Sequence, residues 1–361
     1  MNKVDFYNMY STLLAFDWLF LIEKLVLIIG IVSVSLGIAM YETWAERKVA
    51  AVMQDRRGPN RAGPLGLLQP LADGLKLFMK EEIIPNTSNR MLFILGPCLA
   101  MLAAMMTSAV IPWGGKIDFF GREVSLQIAD INIGILYIFA VVSMGIYGIM
   151  IGGWASNNKF SLMAALRGAS QVISYELPMG LSLIALLMLT GSLKMSDIVG
   201  GQIDGVWNVV YQPLGFLIFL ICAFAECNRT PFDLPEAENE LNFGYHQEYS
   251  SMKLGFYLFA EYINMFISSA VMATLFFGGY DIPFVNDAQL TEKIGLNWMA
   301  LLQGGALFAK VVAFILLFMW VRWTIPRFRY DQLMHLGWKR LVPLALINMI
   351  VTAAVVLWLK K

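Results

Sequence analysis

Six carboxylates lie close together in one polar segment between two long apolar runs. The segment covers residues 225–249, AECNRTPFDLPEAENELNFGYHQEY, and Arg229 is its one lysine or arginine. Its carboxylates are Glu226, Asp233, Glu236, Glu238, Glu240 and Glu248. Ionised carboxylates at this density repel one another, so members that are shielded from water are expected to hold a proton near neutral pH. The pattern indicates proton handling or contact with a basic partner, and a solvated acidic face is the alternative.

The elements that must position this segment are membrane-spanning helices. The chain has 361 residues, of which 58% are hydrophobic and 14% are charged, a composition typical of a polytopic membrane protein. Apolar stretches of about 20 residues can cross ~30 Å of hydrocarbon as helices, and they predict an all-α fold with about eight transmembrane helices. The stretches cover 25–41, 91–113, 131–153, 172–193, 209–226, 259–279, 302–322 and 341–359. Residues 1–361 are predicted to form one transmembrane domain.

Prolines and basic residues indicate how the connecting segments are arranged. Pro231 and Pro235 interrupt any helix after the fifth stretch, so residues 227–258 are predicted to form an ordered loop. The loops after odd-numbered spans carry most of the lysines and arginines, with eight in residues 42–90 alone: Arg47, Lys48, Arg56, Arg57, Arg61, Lys76, Lys80 and Arg90. The positive-inside rule therefore places these loops in the cytoplasm and both termini in the periplasm.

A second informative segment lies within residues 42–90. Leu68, Leu71, Leu75 and Phe78 recur at helical spacing in a stretch too short to span a membrane. This predicts an amphipathic helix on the cytoplasmic membrane surface. A helix packed on a neighbouring subunit is an alternative that is compatible with the first.

These segments are similar to the signature sequences of one family. PFDLPEAENELNFG and GLLQPLADGLKLFMKE resemble the two signatures of the quinone-linked membrane subunit of respiratory complex I, which is the H subunit in bacteria and subunit 1 of the mitochondrial NADH dehydrogenase. ERKVAAVMQDRRGPNRAGP, GWASNNKFSLMAALRGASQVISYELPMG and FMWVRWTIPRFRYDQLMHLGWKRLVP also resemble that family. The resemblance extends roughly from Ala45 to Arg340.

The resemblance implies a membrane-arm subunit of a proton-translocating NADH–quinone oxidoreductase in a bacterial inner membrane. Such a subunit forms the membrane side of the quinone chamber and couples quinone reduction to proton translocation. Quinone is then the substrate, while FMN and iron–sulfur clusters belong to peripheral partner subunits. Antiporter-like membrane subunits and the lipid bilayer are further partners. We expect no catalytic residue, redox centre or metal site on this chain alone, and its zero net charge gives no general attraction for nucleic acid.

Two groups of candidate site residues follow from the resemblance together with the charge pattern. Candidates for the quinone chamber are Arg47, Arg56, Asp73, Glu81, Arg229, Asp233, Arg322 and Arg327. Candidates for proton coupling are Glu176, Glu226, Glu236, Glu238, Glu240, Glu248 and Glu261. For the arginines of residues 42–90, simple anchoring at the cytoplasmic interface is the alternative.

Two carboxylates are expected inside apolar spans. Glu176 is placed just inside the fourth span and Glu261 at the start of the sixth. A carboxylate in hydrocarbon is costly unless it is protonated, paired or facing a wet cavity, so both are candidates for a proton path. The alternative is a carboxyl satisfied by one hydrogen-bond partner. Glu42 lies outside the family pattern and is interpreted as offsetting charge on Arg47 or Lys48.

Two other functions stay open at this stage. One is the membrane subunit of a related ferredoxin-driven complex or energy-converting hydrogenase, which needs no quinone. The other is a stand-alone ion transporter, which intramembrane carboxylates would suit. The sequence has no clear internal repeat of the kind many transporters show, and its long cytoplasmic loops indicate docking of large partners.

Overall fold

The fold consists almost entirely of helices. The computed structural model describes residues 18–119, 122–203, 205–283, 291 and 293–359. The longer helices are α1 Trp18–Met53, α3 Arg90–Thr107, α4 Gly134–Ala155, α5 Lys159–Thr190, α10 Ser251–Phe276, α11 Leu296–Thr324 and α13 Val342–Leu359. The shorter ones are α2 Gln69–Met79, α6 Met195–Ile203, α7 Asn208–Tyr211, α8 Pro213–Glu226, α9 Glu238–Leu241 and α12 Tyr330–His335. A π-helical turn, Leu336–Leu341, joins α12 to α13.

Seven helical segments among the described residues are long and apolar enough to cross a membrane. This confirms the predicted all-α, polytopic fold. The remaining predicted segment, 209–226, forms α8, which has 14 residues and is shorter than a typical span. Pro213 begins this helix, in agreement with the preference of proline for the first turn. The predicted amphipathic helix is present as α2, which has 11 residues.

Three helices extend further than their apolar stretches. Helix α1 continues through residues 42–53, which hydropathy places in the first loop. Helix α5 begins at Lys159 instead of near residue 172, after Asn158 accepts a hydrogen bond from the Phe160 amide at 3.0 Å. Helix α10 begins at Ser251 instead of near residue 259. Glu176 and Glu261 therefore lie near the middle of their helices, further from the helix ends than the sequence indicates.

Small residues allow the first half of the bundle to pack closely. Gly148 and Gly152 on α4 face α3 and α10, where a Cβ at Gly148 would lie 2.7 Å from the Ala100 amide nitrogen. A Cβ at Gly152 would collide with the Tyr257 hydroxyl. The glycines of this span therefore permit close contacts between the helices.

A small antiparallel hairpin lies between α3 and α4. Its strands are β1 Lys116–Phe119 and β2 Arg122–Ser125. Residues 120–121, between the two strands, lie outside the described residues.

Candidate functional site

The acidic loop is folded into the helix bundle. Gln171 on α5 holds it, since the Gln171 side-chain amide donates to the carbonyls of Ala225 at 2.6 Å and Phe232 at 2.7 Å. Seven apolar side chains of the loop are buried: Cys227, Phe232, Leu234, Ala237, Leu241, Tyr245 and Tyr249. The loop is therefore a packed internal element, and the alternative of a solvated acidic face does not describe it.

Arg229 is the central cation of this element and is 5% exposed. Its Nη1 lies 3.9 Å from Glu46 Oε2 on α1, and its Nη2 lies 3.8 Å from Glu261 Oε2 on α10. The guanidinium also lies over the Tyr262 ring, 4.2 Å from the centroid. Arg322 on α11 forms an ion pair with Glu46, and Tyr262 donates a hydrogen bond to Glu46 at 2.8 Å. We call Glu46, Arg229, Glu261, Tyr262 and Arg322 the arginine–carboxylate cluster.

Arg229 remains charged in this environment. Burial by itself lowers the pKa of the Arg229 guanidinium, but Tyr262, Glu46 and Glu261 outweigh burial and raise that pKa above its ordinary value. A permanent cation thus joins one loop to two helices.

Two further acids of the loop have opposite protonation behaviour. Asp233 is 3% exposed and accepts a hydrogen bond from Arg327 Nη2 at 2.7 Å. Burial, together with the negative charge of Glu236, raises the pKa of Asp233 to about 7, although Arg327 opposes this shift. Burial also acts to raise the pKa of Glu236, but His246, whose Nε2 lies 3.2 Å from Glu236 Oε1, outweighs it and holds that pKa at about 2. Asp233 therefore titrates near neutrality while Glu236 stays ionised.

A small polar cavity connects Glu261 to Glu226. The Tyr245 hydroxyl donates to Glu261 Oε1 at 3.1 Å, and the cavity of about 40 Å³ beside this pair is also lined by Asn264 and Tyr257. A water needs roughly 10–15 Å³ of such volume, so the cavity has room for a few waters. Its polar lining is suited to proton movement.

Glu226 also interacts with a carboxyl on the other side. Glu176 on α5 is close enough to Glu226 for a direct electrostatic interaction. The Ser143 hydroxyl of α4 donates to Glu176 Oε1 at 2.7 Å. The structure thus brings together Glu176, Glu226 and Glu261 in one series that ends at Arg229.

A larger cavity opens between α1, α2 and α10. It has a volume of about 590 Å³, within the range typical of small-molecule sites. Its lining includes Met40, Thr43, Arg47, Pro70, Asp73, Gly74, Leu77, Leu258, Phe259 and Tyr262. Arg47 Nη1 and Asp73 Oδ2 form an ion pair at 2.7 Å in this lining. Since Tyr262 also belongs to the arginine–carboxylate cluster, the cavity and the cluster share a wall.

Six of the eight candidates for the chamber lie outside this cavity lining. Arg229 and Arg322 belong to the arginine–carboxylate cluster, and Asp233 pairs with Arg327. The other two are Arg56 and Glu81. Arg56 is exposed and donates to Gln54 Oε1 at 2.6 Å. It lines a neighbouring cavity of about 680 Å³, together with Arg47. Glu81 is exposed, and its backbone carbonyl accepts a hydrogen bond from Ser250 at 3.3 Å. The large cavity therefore includes Arg47 and Asp73 but neither Arg56 nor Glu81.

Two of the candidates for proton coupling stand apart from the buried series. Glu240 pairs with Arg167 at 2.5 Å, and its side chain is 55% exposed. Glu248 accepts a hydrogen bond from Asn158 at 2.7 Å. The Glu238 side chain lies outside the described part of the structure.

Several residues of the site are not found by sequence reasoning. Glu46, Tyr262, Tyr245 and His246 hold the arginine–carboxylate cluster and the loop acids in place. Glu46 lies in the sequence ERK and Tyr262 in the sequence EYIN, and both sequences place polar residues within helices that are otherwise apolar. Polar residues in such helices are the signal that could have indicated these two.

The interpretation of Glu42 was wrong. Arg47 pairs with Asp73, and Lys48 lies over the Trp44 ring, 5.8 Å from its centroid. Residues four apart share one helix face, whereas a residue five apart points elsewhere. Glu42 therefore shares the buried face of Glu46 and is 3% exposed.

A family model and several known proteins are similar to most of this chain. The family model described as NADH dehydrogenase matches residues 25–353. The NADH-quinone oxidoreductase H subunit of Cytophaga hutchinsonii, numbered 1 in that organism, is 64% identical over 340 residues, which cover 94% of this chain and 98% of the relative. The NADH-quinone oxidoreductase H subunit of Flavobacterium psychrophilum is 64% identical over 344 residues, covering 95% and 100%. The corresponding protein of Geobacter metallireducens is 49% identical over 341 residues, covering 94% and 98%. The chain belongs to the NADH dehydrogenase family.

Proposed function

We propose that this chain is the membrane-embedded H subunit of a proton-translocating NADH–quinone oxidoreductase. It is a multi-pass protein of a bacterial inner membrane, with both termini in the periplasm. FMN and the iron–sulfur clusters are held by peripheral partner subunits, and antiporter-like subunits adjoin it in the membrane. The observation that carries this proposal is the cavity between α1, α2 and α10, because it shares Tyr262 with a buried cluster of ionisable groups.

The cavity suits a ligand with an apolar body and a polar head. Leu77, Leu258 and Phe259 provide an apolar surface, while Arg47 and Asp73 provide charge at one edge. A few convergent polar groups in an otherwise apolar lining are typical of sites for small organic molecules. A lipid-soluble quinone has this distribution of polarity.

Coupling follows from the contacts between the cavity and the buried acids. Reduction of a quinone to the neutral quinol consumes one proton for each electron, and protons drawn from groups around the cavity change the charge near Tyr262. The hydrogen bond from Tyr262 to Glu46 brings this change to Arg229, whose second carboxylate partner is Glu261. From Glu261 the small polar cavity leads to Glu226, and beyond it lies Glu176. Asp233 and Glu236 of the loop also interact electrostatically with Arg229 and Arg322, so their charge contributes to the same cluster.

The decisive experiment is purification of the tagged chain from native membranes in mild detergent. Bound flavin, iron–sulfur absorbance and NADH-driven quinone reduction in the purified complex are the expected results. Nickel with hydrogen activity would assign the chain to the hydrogenase branch. If the chain purifies without any partner subunit from an otherwise intact preparation, that result would contradict both redox functions and favour the transporter.

A cavity-filling variant tests the quinone site itself. Gly74 lines the cavity, and a Cβ at this position meets no atom within 4 Å. In Gly74→Leu the new side chain occupies the cavity, so the KM for quinone is expected to rise on the order of tenfold, which corresponds to about 1.4 kcal/mol of binding. Gly305→Leu is the matched control, since Gly305 also has open space around its Cβ and lies on α11. Equal KM values in the two variants would refute the assignment of the cavity.

A further inference from the structure

Glu42 is a buried acid that the proposed function does not yet use. It lies on α1, one helical turn before Glu46, and is 3% exposed. Neither of its carboxyl oxygens has a hydrogen-bond partner among the described residues. An ionised carboxylate that lacks both water and donors is far more costly than a neutral carboxyl. This environment favours the protonated form of Glu42.

The charged groups around Glu42 lie on several elements. Arg229 of the loop and Glu46 of α1 interact with it electrostatically. Behind these two lie Glu261 and Tyr262 of α10 and, on α11, Arg322. The thiol of Cys227 also lies within electrostatic range of Glu42. Every charged neighbour of Glu42 in this set therefore belongs to the arginine–carboxylate cluster.

Arg229 is held loosely by its present partners. Its contacts of 3.9 Å to Glu46 and 3.8 Å to Glu261 are too long for hydrogen bonds, and Nε and Nη2 have no hydrogen-bond partner among the described residues. A buried guanidinium with free donors thus lies near a buried carboxyl with free acceptors, although no ion pair within 4.0 Å joins them. Residues four apart on a helix have Cβ atoms about 5–6 Å apart, so a modest movement of Arg229 can exchange one glutamate for the other.

We propose that Glu42 is a further proton-binding carboxyl of the arginine–carboxylate cluster and serves as the reserve counter-ion of Arg229. In the described state Glu42 is neutral, while Glu46 forms the ion pair with Arg322 and accepts the hydrogen bond from Tyr262. When charge changes in the cavity that Tyr262 lines, the proton on Glu42 passes to Glu46, and Arg229 turns to the newly ionised Glu42. One carboxyl loses the proton that the other gains, so the charge of the cluster is conserved while the position of its cation changes.

This inference rests on the proposed function, because the charge change that drives it is quinone reduction. It gives α1 a proton-binding carboxyl that lies outside the segments similar to the family, since the first of these begins at ERK, after Glu42. The consequence is a second stable position for Arg229, and therefore a second position for the loop that carries it.

The test uses the whole complex carrying Glu42→Gln, with Glu42→Asp as the conservative variant. Glu123→Gln is the control, because Glu123 is 63% exposed on the hairpin and pairs with Lys116. Flavin bound per chain shows that each variant assembles. The readouts are proton pumping per quinone reduced, its pH profile, and the infrared carbonyl band of protonated carboxylic acids.

In Glu42→Gln we expect coupled pumping to fall about fivefold or more, in line with the lower end of coupling between linked sites. The carbonyl band is expected to lose intensity, and in Glu42→Asp pumping recovers while the band shifts. If Glu42→Gln fails to assemble, the test is whether the carbonyl band shifts in Glu42→Asp. A shifted band supports a protonated Glu42, and an unshifted band contradicts it. Pumping and band intensity equal to those of Glu123→Gln would overturn the inference. Absence of NADH-driven quinone reduction in the unmodified complex would instead contradict the proposed function.

Discussion

Replacing Arg229 with methionine is expected to destabilise the protein strongly. Both Arg229 and Glu261 are buried, with side chains 6% and 8% exposed. Glu46 keeps Arg322 after the replacement, whereas Glu261 keeps only the Tyr245 hydroxyl among its contacts in the described residues. Removing one partner of a buried ion pair costs about 3–5 kcal/mol, because the other charge remains without compensation.

The loss of stability in Arg229→Met can be compared with the loss caused by the same replacement in an exposed arginine–carboxylate pair. Arg329 and Asp331 lie 3.5 Å apart and are 77% and 72% exposed. Exposed pairs contribute about 0–1 kcal/mol, so Arg329→Met is expected to have little effect. The assay is the apparent melting temperature of the purified complex, followed by loss of flavin-containing assembly.

A second-site change isolates the cause. If the stranded charge of Glu261 is the main cost, Glu261→Gln in the Arg229→Met background recovers much of the lost stability. Equal melting temperatures for Arg229→Met and Arg329→Met would refute the reasoning. Failure of the double variant to recover would show that the charge of Glu261 is not the main cost, and lost packing of the guanidinium on Tyr262, worth about 0.5–2 kcal/mol, would then account for part of the effect.

Three further outcomes follow from local contacts. The pKa of Asp233, raised to about 7, lies above its value in the unfolded chain, so its contribution to stability is present at low pH and is lost as pH rises towards 7. The melting temperature relative to Asp233→Asn, which removes this titration beside Arg327, should therefore fall between roughly pH 4, near the ordinary pKa of an aspartate, and pH 7. Gly152→Ala should cost about 1–3 kcal/mol, measured as a lower melting temperature, because its Cβ collides with Tyr257. Glu240→Gln should leave pumping unchanged and change stability by less than about 1 kcal/mol, since its ion pair is half exposed; a clear loss of pumping would contradict its placement outside the series.

Hydropathy was sufficient for the order of the long apolar helices and, to within one, for their number, but not for their ends. Helix α5 begins 13 residues before the apolar stretch at 172. Its first part contains Ser161 and Gln171, which lower hydropathy but are buried and hydrogen-bonded to the loop and its neighbours. Hydropathy measures the cost of leaving a side chain in lipid, whereas a helix continues wherever its polar side chains find partners in the protein. That information is absent from the linear pattern.

Most carboxylates of the site could be identified from the sequence, with Glu42 and Glu46 as the exceptions, but their pairing could not. Asp233 and Glu236 are three residues apart and of similar chemistry, yet their pKa values are displaced in opposite directions. The difference arises because His246 approaches Glu236 and lowers its pKa, whereas burial and the charge of Glu236 raise the pKa of Asp233 against the opposing effect of Arg327. Spacing along a loop does not determine such distances. The sequence therefore indicates that proton chemistry is present, while the structure determines which acid titrates near neutrality.

The distribution of charge explains how a loop can affect helices that it does not interrupt. Arg229 comes from the loop, Glu46 from α1, Glu261 from α10 and Arg322 from α11, and all four are largely buried. Because screening is weak in such a site, a change of one proton on either carboxylate alters the energy of both cations. Arg229 belongs to the loop and Arg322 to α11, so under the proposed coupling a proton that changes the balance between the two cations changes the forces on both elements. A cluster built from one residue of each element is therefore suited to link proton transfer to the position of the loop, which a cluster confined to one helix is not.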